Sequence, residues 1–586
     1  MLRGGNFIMR RQKSLKSRLL AKVAVAACTV CLLAGGYVLP KVEAAAYPPL
    51  RNPNGMVLST SDLADAVGQK VLADGGNAID AAVAVGYALA VTHPAAGNIG
   101  GGGFAVIHLA NGDDVALDFR EKAPLAATRD MYLDAEGNVI PNASIIGHKA
   151  AGVPGSVAGM SAMLGKYGTK SLAELIQPSI DLAEKGFVIT HHEAGALKEV
   201  KELFATFKAS QKYFLKADGN TYAEGDIFTQ ADLGKTLRAI AKGGPDAFYK
   251  GEIASLIVAD MEKNGGLITK EDLAQYKPVW RTPVKGTYRG YTIASMCPPS
   301  SGGTHIIQIL NIMENADVKA MGPGSSAKIH LMAEAMRYAY ADRSQYLGDP
   351  DFVTVPVDKL TDKAYAAKIF HKIKEDKATP SSSVKPGLEI PEGSNTTHYS
   401  VADKMGNAVS VTYTINSMYG SGAAVEGAGF LLNNEMDDFA AKAGVPNQFG
   451  LVGSDANCIE PQKRPLSSMS PTIVSKDGEL FMLVGSPGGS RIITTVLQVI
   501  SNVIDHGMNI SEAVSYPRVH MQWLPDELRV EKFGISADTK DALTEMGYTV
   551  KVRPYMGDVN AIMFDHENGI FLGVHDPRSK IDEASM

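Results

Sequence analysis

The amino-acid sequence predicts an α+β protein, built from helices and from strands that pair as hairpins, and three features carry that expectation. Residues 61–92 have the spacing of two packed helices. Two stretches, 104–119 and 396–416, alternate apolar and polar residues on either side of turn signals, as β-hairpins do. Residues 150–345 read as mainly helical, including 171–185 and 306–313.

In chain order, the first helix occupies about 62–73 and stops at Gly75-Gly76. The second, 78–91, carries Ala and Val on nearly every side, so it should be deeply buried, and His93-Pro94 ends it. Strands at 104–109 and 115–119 flank Asn111-Gly112, a strong hairpin turn signal. The glycine run 97–103 precedes a strand instead of a helix, the wrong context for a dinucleotide loop, and predicts close backbone packing near a pocket. His191-His192-Glu193 has no partner cluster at metal-ligand spacing and reads as a polar helix surface, so no metal site is expected.

Composition narrows the function classes. With 586 residues, 45% hydrophobic and 20% charged, the chain can bury a large core. Its first 22 residues carry seven basic side chains and no acid, an apolar run 23–39 follows, and Ala44, Ala45 and Ala46 come next, which is the pattern of a cleaved export signal spanning about 1–46. An uncleaved membrane anchor and lipidation at Cys28 are the disfavoured alternatives. Segment 1–46 holds eight basic residues and one acid. Taking these from the totals of 57 and 63 leaves 49 and 62, a net charge of −13, which argues against a nucleic-acid partner. Two cysteines remain, Cys297 and Cys458, too few for a disulfide framework; two buried thiols are expected.

Residues 372–395 are polar and rich in Pro and Ser, an exposed connector by pattern. Strand alternation begins at once behind it. If 404–406 form a three-residue loop with Gly406 left-handed, residue 403 opposes 407 and Thr396 opposes Thr414. Opposed Cβ atoms lie about 4.5–5.5 Å apart, close enough for two hydroxyls to bond. Threonine is also a common strand residue, so alternation alone decides nothing. Its position after a connector suits a nucleophile freed by chain cleavage, because an N-terminal threonine uses its own α-amine as base. Further on, Gly485-Ser486-Pro487-Gly488-Gly489-Ser490 separates a strand, 480–484, from a helix, 491–505, that ends near Gly507. Such a turn exposes backbone amides that suit a phosphate or an oxyanion.

The motifs TTHYSV, GNAVSVTYTIN, GFLLNNEMDDF, RPLSSMSPTIV and GSPGGSRIITT, with GGNAIDAAVAVGYALAVTHPAAGNIGGGGF and LDFREKAP upstream and PDELRVEK and DPRS downstream, resemble γ-glutamyltransferases in order and spacing from about residue 50 to the C-terminus. The resemblance implies a four-layer αββα sandwich of the N-terminal-nucleophile hydrolase type, formed jointly by two autoprocessed subunits. It divides the chain into a large subunit, 47–395, and a small catalytic one, 396–586, that stay associated. It implies Thr396 as nucleophile, Thr414 as its orienting partner, and the amides of Gly488 and Gly489 as oxyanion hole. It assigns Arg120, Ser467 and Ser468 to the α-carboxylate of a γ-glutamyl donor, and Asn416, Glu435 and Asp438 to its ammonium; some bacterial relatives carry Gln at the position of Glu435. The implied donor is glutathione or another γ-glutamyl compound, the acceptor water, an amino acid or a peptide, and no cofactor is called for. The competing expectations are a β-lactam acylase of the same fold, a phosphate- or nucleotide-binding protein using loop 485–490, and an exported binding protein for glutamate derivatives. Within the expected pocket cover, 438–449, Phe449 stands where relatives often have a tyrosine whose hydroxyl bonds the equivalent of Asn416. Phe449→Tyr is therefore expected to change the ratio of transfer to hydrolysis, measured by assaying both.

Overall fold

The computed structural model describes residues 47–384, 396–445, 447–448, 450–451 and 453–580. The expected leader, residues 385–395 of the connector, Pro446 and Phe449 lie outside the described residues.

One antiparallel sheet has six strands: β1 (Gly55–Leu58), β2 (Gly102–His108), β3 (Asp114–Phe119), β4 (Val279–Arg281), β5 (Thr397–Asp403) and β6 (Ala408–Thr414), side by side as β1-β5-β6-β2-β3-β4. A second sheet has seven strands, in the order Leu50–Asn52, Ile570–His575, Asn560–Asp565, Glu479–Val484, Thr472–Lys476, Tyr291–Ser295 and Val284–Tyr288. The helices that matter for the site are α1 (Asp62–Ala73), α2 (Ala78–Thr92), α3 (Gly302–Met313), α4 (Ser326–Tyr346) and α5 (Arg491–His506).

Period-two alternation sorts the side chains into layers. Val57, Ala105, Ile107, Leu117, Val401, Val409 and Val411 pack with α2, which is buried along its whole length as its composition predicts. Met56, Leu58, Phe104, Val106, Ala116, Ala402 and Ala408 share a core with Ile473, Val474 and Met482 of the second sheet and with α3, α4 and α5. Both faces of the six-stranded sheet are thus covered, which gives the helix–sheet–sheet–helix order. The interior carries about 25 cal/mol of stabilisation for each Å² of apolar surface removed from water.

A polar stripe runs between the sheets. His398 is fully buried, and burial lowers its pKa to about 3, so the ring is neutral. Ser400 donates to the Asn560 carbonyl at 3.1 Å, so it accepts from Nε2–H of His398 at 3.0 Å, leaving Nδ1 to accept from Thr412 at 2.9 Å. Gly485, at the end of a strand of the facing sheet, leaves room for this ring: a Cβ there would lie 2.2 Å from His398 Cε1.

Several boundaries differ from expectation. Residues 279–295, within the stretch read as mainly helical, form three strands. Their hairpin Val284–Tyr288 to Tyr291–Ser295 turns on Arg289 and Gly290 at φ 50° and 85°. That is a two-residue turn with both residues left-handed, here without the usual Asn-Gly signal. The connector is not exposed throughout. Ala378 donates to the Met546 carbonyl at 2.8 Å, Ser381 to Asp526 at 2.8 Å, and Trp523 Nε1 to the carbonyls of Ser381 and Val384. Backbone polar groups that find partners this way can be buried despite a polar sequence. Cys297 and Cys458 are buried free thiols, as expected. No helix among the described residues is long and apolar enough to cross a membrane.

Because His398 is pinned at both ring nitrogens, Gly485→Ala should overpack the space between the sheets. A loss of about 1–3 kcal/mol is expected, read as a lower urea midpoint; an unchanged midpoint would show that the ring moves freely.

Candidate active site

The β5–β6 hairpin has the register its sequence predicts. Thr397 pairs with Tyr413 and Ala402 with Ala408, Asp403 N–H donates to the Asn407 carbonyl at 3.0 Å, and Gly406 takes φ 95°. Continued by one residue, this pairing sets Thr396 opposite Thr414, and Thr396 Oγ1 donates to Thr414 Oγ1 at 3.4 Å. Asp403 fixes the far end of the hairpin. Its Oδ1 accepts from the amides of Met405 and Asn407, and its Oδ2 accepts from the Ala78 amide at the start of α2 at 2.9 Å.

Backbone packing holds the near end. The glycine run 97–103 lies against β6 and the chain beyond it, where a Cβ on Gly101 would fall 2.0 Å from the Thr414 carbonyl oxygen and one on Gly100 2.1 Å from that of Leu431. Only glycine permits this approach. After β6 the chain leaves through Asn416 at φ 74°, a conformation asparagine tolerates, and its amide folds back onto Thr414 Oγ1 at 2.8 Å. Thr414 therefore accepts from both Thr396 and Asn416.

Thr396 opens onto a cleft of about 300 Å³. Nine of the ten residues expected from the sequence line it: Thr396, Thr414, Gly489, Arg120, Asn416, Glu435, Asp438, Ser467 and Ser468. Gly488 stands one residue outside the lining. Gly488 and Gly489 take φ 133° and 55° at the entry to α5, and their carbonyls accept from Arg491 and Ile492. Neither glycine amide donates to another group among the described residues. Backbone amides left open at a helix start are chemically suited to negative charge.

Another part of the lining is a cluster of charges. Arg120 follows β3, is buried, and forks onto Glu435 and Asp438, with Glu121 at 3.6 Å. Burial alone would lower the Arg120 pKa, but Glu435, Asp438 and Glu121 outweigh it and hold the guanidinium well above its ordinary value. Burial raises the pKa of Glu435 and Asp438, opposed in both by Arg120. Burial pushes Glu121 up to about 8, with Arg120 opposing the shift, and neither of its oxygens finds a hydrogen-bond partner. Expectation put Arg120 and the acids on opposite ends of a ligand; here they pair with one another. Asn416 Nδ2 donates to the Asn434 carbonyl at 3.0 Å. On the third side Ser467 accepts from the Met469 amide at 3.1 Å, and Ser468 accepts from Arg343 Nη2 at 3.1 Å.

Arg343, Leu451, Met469 and Ile492 also line the cleft and were missed, as was Glu121 behind it. Arg343 lies in α4 among other charged and polar residues, Arg337, Asp342 and Gln345, so its sequence context gave no signal that it reaches the cleft. In the segment expected to cover the pocket, Gln448 N–H donates to Asp437 at 3.0 Å and Ser417 Oγ donates to Gln448 Oε1 at 2.7 Å.

The sequence model of gamma-glutamyltranspeptidases matches residues 64–586. A glutathione hydrolase proenzyme of Escherichia coli strain K12 is 55% identical over 543 residues, covering 92% of this chain and 93% of that protein. Among solved structures, Helicobacter pylori gamma-glutamyltranspeptidase superposes with a TM-score of 0.58 at 63% identity, covering 59% of this chain and 100% of that chain. A cephalosporin acylase from Bacillus halodurans superposes with a TM-score of 0.81 at 28% identity, covering 92% of this chain and 97% of that one. The four-layer architecture is that of the N-terminal-nucleophile hydrolases. With its threonine pair, glycine turn and charged wall in one cleft, the chain belongs to the gamma-glutamyltranspeptidase family.

Proposed function

We propose that the protein cleaves itself between Asn395 and Thr396 and then uses Thr396 to hydrolyse or transfer γ-glutamyl groups, with glutathione and its conjugates as donors. The observation that carries this reading is the hydroxyl pair, Thr396 Oγ1 to Thr414 Oγ1, at the mouth of a cleft walled by Arg120, Glu435 and Asp438.

Self-cleavage begins when Thr396 Oγ1 attacks the Asn395 carbonyl and gives an ester, which water opens. The freed α-amine of Thr396 then takes the proton from its own hydroxyl, while Thr414 orients that hydroxyl. Attack on the γ-carbonyl forms a tetrahedral oxyanion that the Gly488 and Gly489 amides receive, each such donor typically contributing about 2.7–4 kcal/mol in the transition state. The leaving amine departs with a proton. Water then resolves the γ-glutamyl ester as hydrolysis, or an amino acid or peptide resolves it as transfer. Asn416, Glu435 and Asp438 receive the donor's ammonium, and Arg120, Ser467 and Ser468 its carboxylate; binding opens the internal pairing of Arg120 with the two acids. None of these steps calls for a metal or cofactor. The acylase reading is weaker because this wall is built for a zwitterion. Residues 47–395 and 396–586 are then the large and small subunits, and segment 1–46 directs export to the periplasm or the medium.

Purified protein should run on a denaturing gel as two fragments, the smaller with Thr396 at its N-terminus, and Thr396→Ala should stay one chain without activity on glutathione. A wild-type chain that remains whole and active would overturn the mechanism. Thr414→Val should lower kcat about tenfold with little change in KM, the size of one lost hydrogen bond. Since the amine must be neutral to act as base, kcat/KM should rise with pH through an apparent pKa of about 7.7–8.0.

A further inference from the structure

Two guanidinium groups line the cleft, and their surroundings are opposite. Arg120 faces three carboxyl groups, Glu121, Glu435 and Asp438. With even one of these ionised, that group has no surplus positive charge. Arg343 is buried as well, at 3% exposure, yet no carboxylate stands within ion-pair distance of it among the described residues. Its Nε donates to Ser301 Oγ at 2.9 Å and its Nη2 to Ser468 Oγ at 3.1 Å. Burial lowers its pKa to about 10, Tyr340 and Asp438 oppose that shift and Arg120 adds to it, so it remains charged at neutral pH. A buried cation held only by neutral hydroxyls is costly unless an anion completes its shell.

Hydrogen-bond direction adds a second argument. Ser468 accepts from a guanidinium, which has no lone pair to return, so its own hydrogen points elsewhere. Ser301, which accepts from the same guanidinium, donates to the Ser467 carbonyl at 2.8 Å. The Ser301 amide donates to that carbonyl at 2.8 Å, and the Ser467 amide donates to the Pro299 carbonyl at 2.9 Å. Arg343 thus straddles the two segments that build the serine wall.

We infer that Arg343 is a specificity-determining and positioning residue: it turns the Ser468 hydroxyl into a donor and supplies the unpaired positive charge that makes the cleft select donors bearing a free α-carboxylate. Arg120 meets the carboxylate once the donor's ammonium has taken over Glu435 and Asp438, and Arg343 adds its charge from behind through Ser468. This inference rests on the γ-glutamyl reading of the cleft.

The test compares γ-glutamyl-p-nitroanilide with 4-aminobutyryl-p-nitroanilide, which lacks only the α-carboxylate. For Arg343→Gln, KM for the γ-glutamyl donor should rise about 10- to 100-fold with kcat changed by less than about threefold, the loss of one charge-assisted bond. The preference in kcat/KM for the carboxylate-bearing donor should fall by the same factor. Arg343→Lys, which keeps the charge and loses the fork, should recover part of that preference. Ser468→Ala should lower the preference too, and by less when Arg343 is already Gln, since the two act as a unit. Self-processing into two fragments reports folding for each variant; should Arg343→Gln fail to process, Arg343→Lys and Ser468→Ala decide by the same ratio. An unchanged donor preference in processed variants, or an equal loss on both donors, would overturn the inference. A wild-type enzyme that turns over neither anilide would instead remove the γ-glutamyl reading itself.

Discussion

The register of one hairpin is the constraint on which the rest of the molecule depends. Side chains alternate along a strand with period two, so a slip of one residue between β5 and β6 would move Thr396 and Thr414 to different faces. The fold fixes that register from both ends. Asp403 ties the turn to the start of α2, and the glycine run 97–103 presses its backbone against the Thr414 carbonyl. The polar stripe beneath it, His398 with Ser400 and Thr412, adds a directional constraint that apolar packing lacks, because each hydrogen bond is satisfied in only one register.

Around that hairpin the charges are arranged by burial more than by proximity to water. Four ionisable groups, Arg120, Glu121, Glu435 and Asp438, are withdrawn into one wall, where a single guanidinium cannot neutralise three carboxylates. Burial accordingly raises the pKa of all three acids, which favours a shared proton among them. The cleft consequently has a wall rich in acceptors and, beside it, hydroxyls backed by Arg343. A ligand with both charges finds a complement for each, whereas an uncharged acyl group would leave buried polar groups unmatched.

Much of this was legible in the sequence, and the reasons are local. The hairpin register followed from alternation on both arms and from Gly406 in the loop, and the burial of α2 from its Ala and Val composition. The strands of 279–295 escaped because Arg289-Gly290 makes the turn where Asn-Gly is the familiar signal. The docking of residues 378–384 escaped because partners distant in sequence, Trp523, Asp526 and Met546, satisfy that polar backbone. Arg343 escaped for the same reason. Its place in the cleft depends on where α4 points, and no residue near it in sequence reveals that. The wall residues were found by resemblance, since singly each is an ordinary polar side chain.

Strands from before and after residue 396 alternate within both sheets. β5 and β6 are inserted between β1 and β2, and the strands from Glu479 to His575 lie between Leu50–Asn52 and Tyr291–Ser295. A break in the chain just ahead of β5 therefore creates no seam along which the halves can part, because every parting line cuts through hydrogen-bonded ladders and both interior layers. Scission becomes a one-way event. The two polypeptides, once denatured apart, would face a bimolecular search for an interleaved topology that was first reached by a single continuous thread.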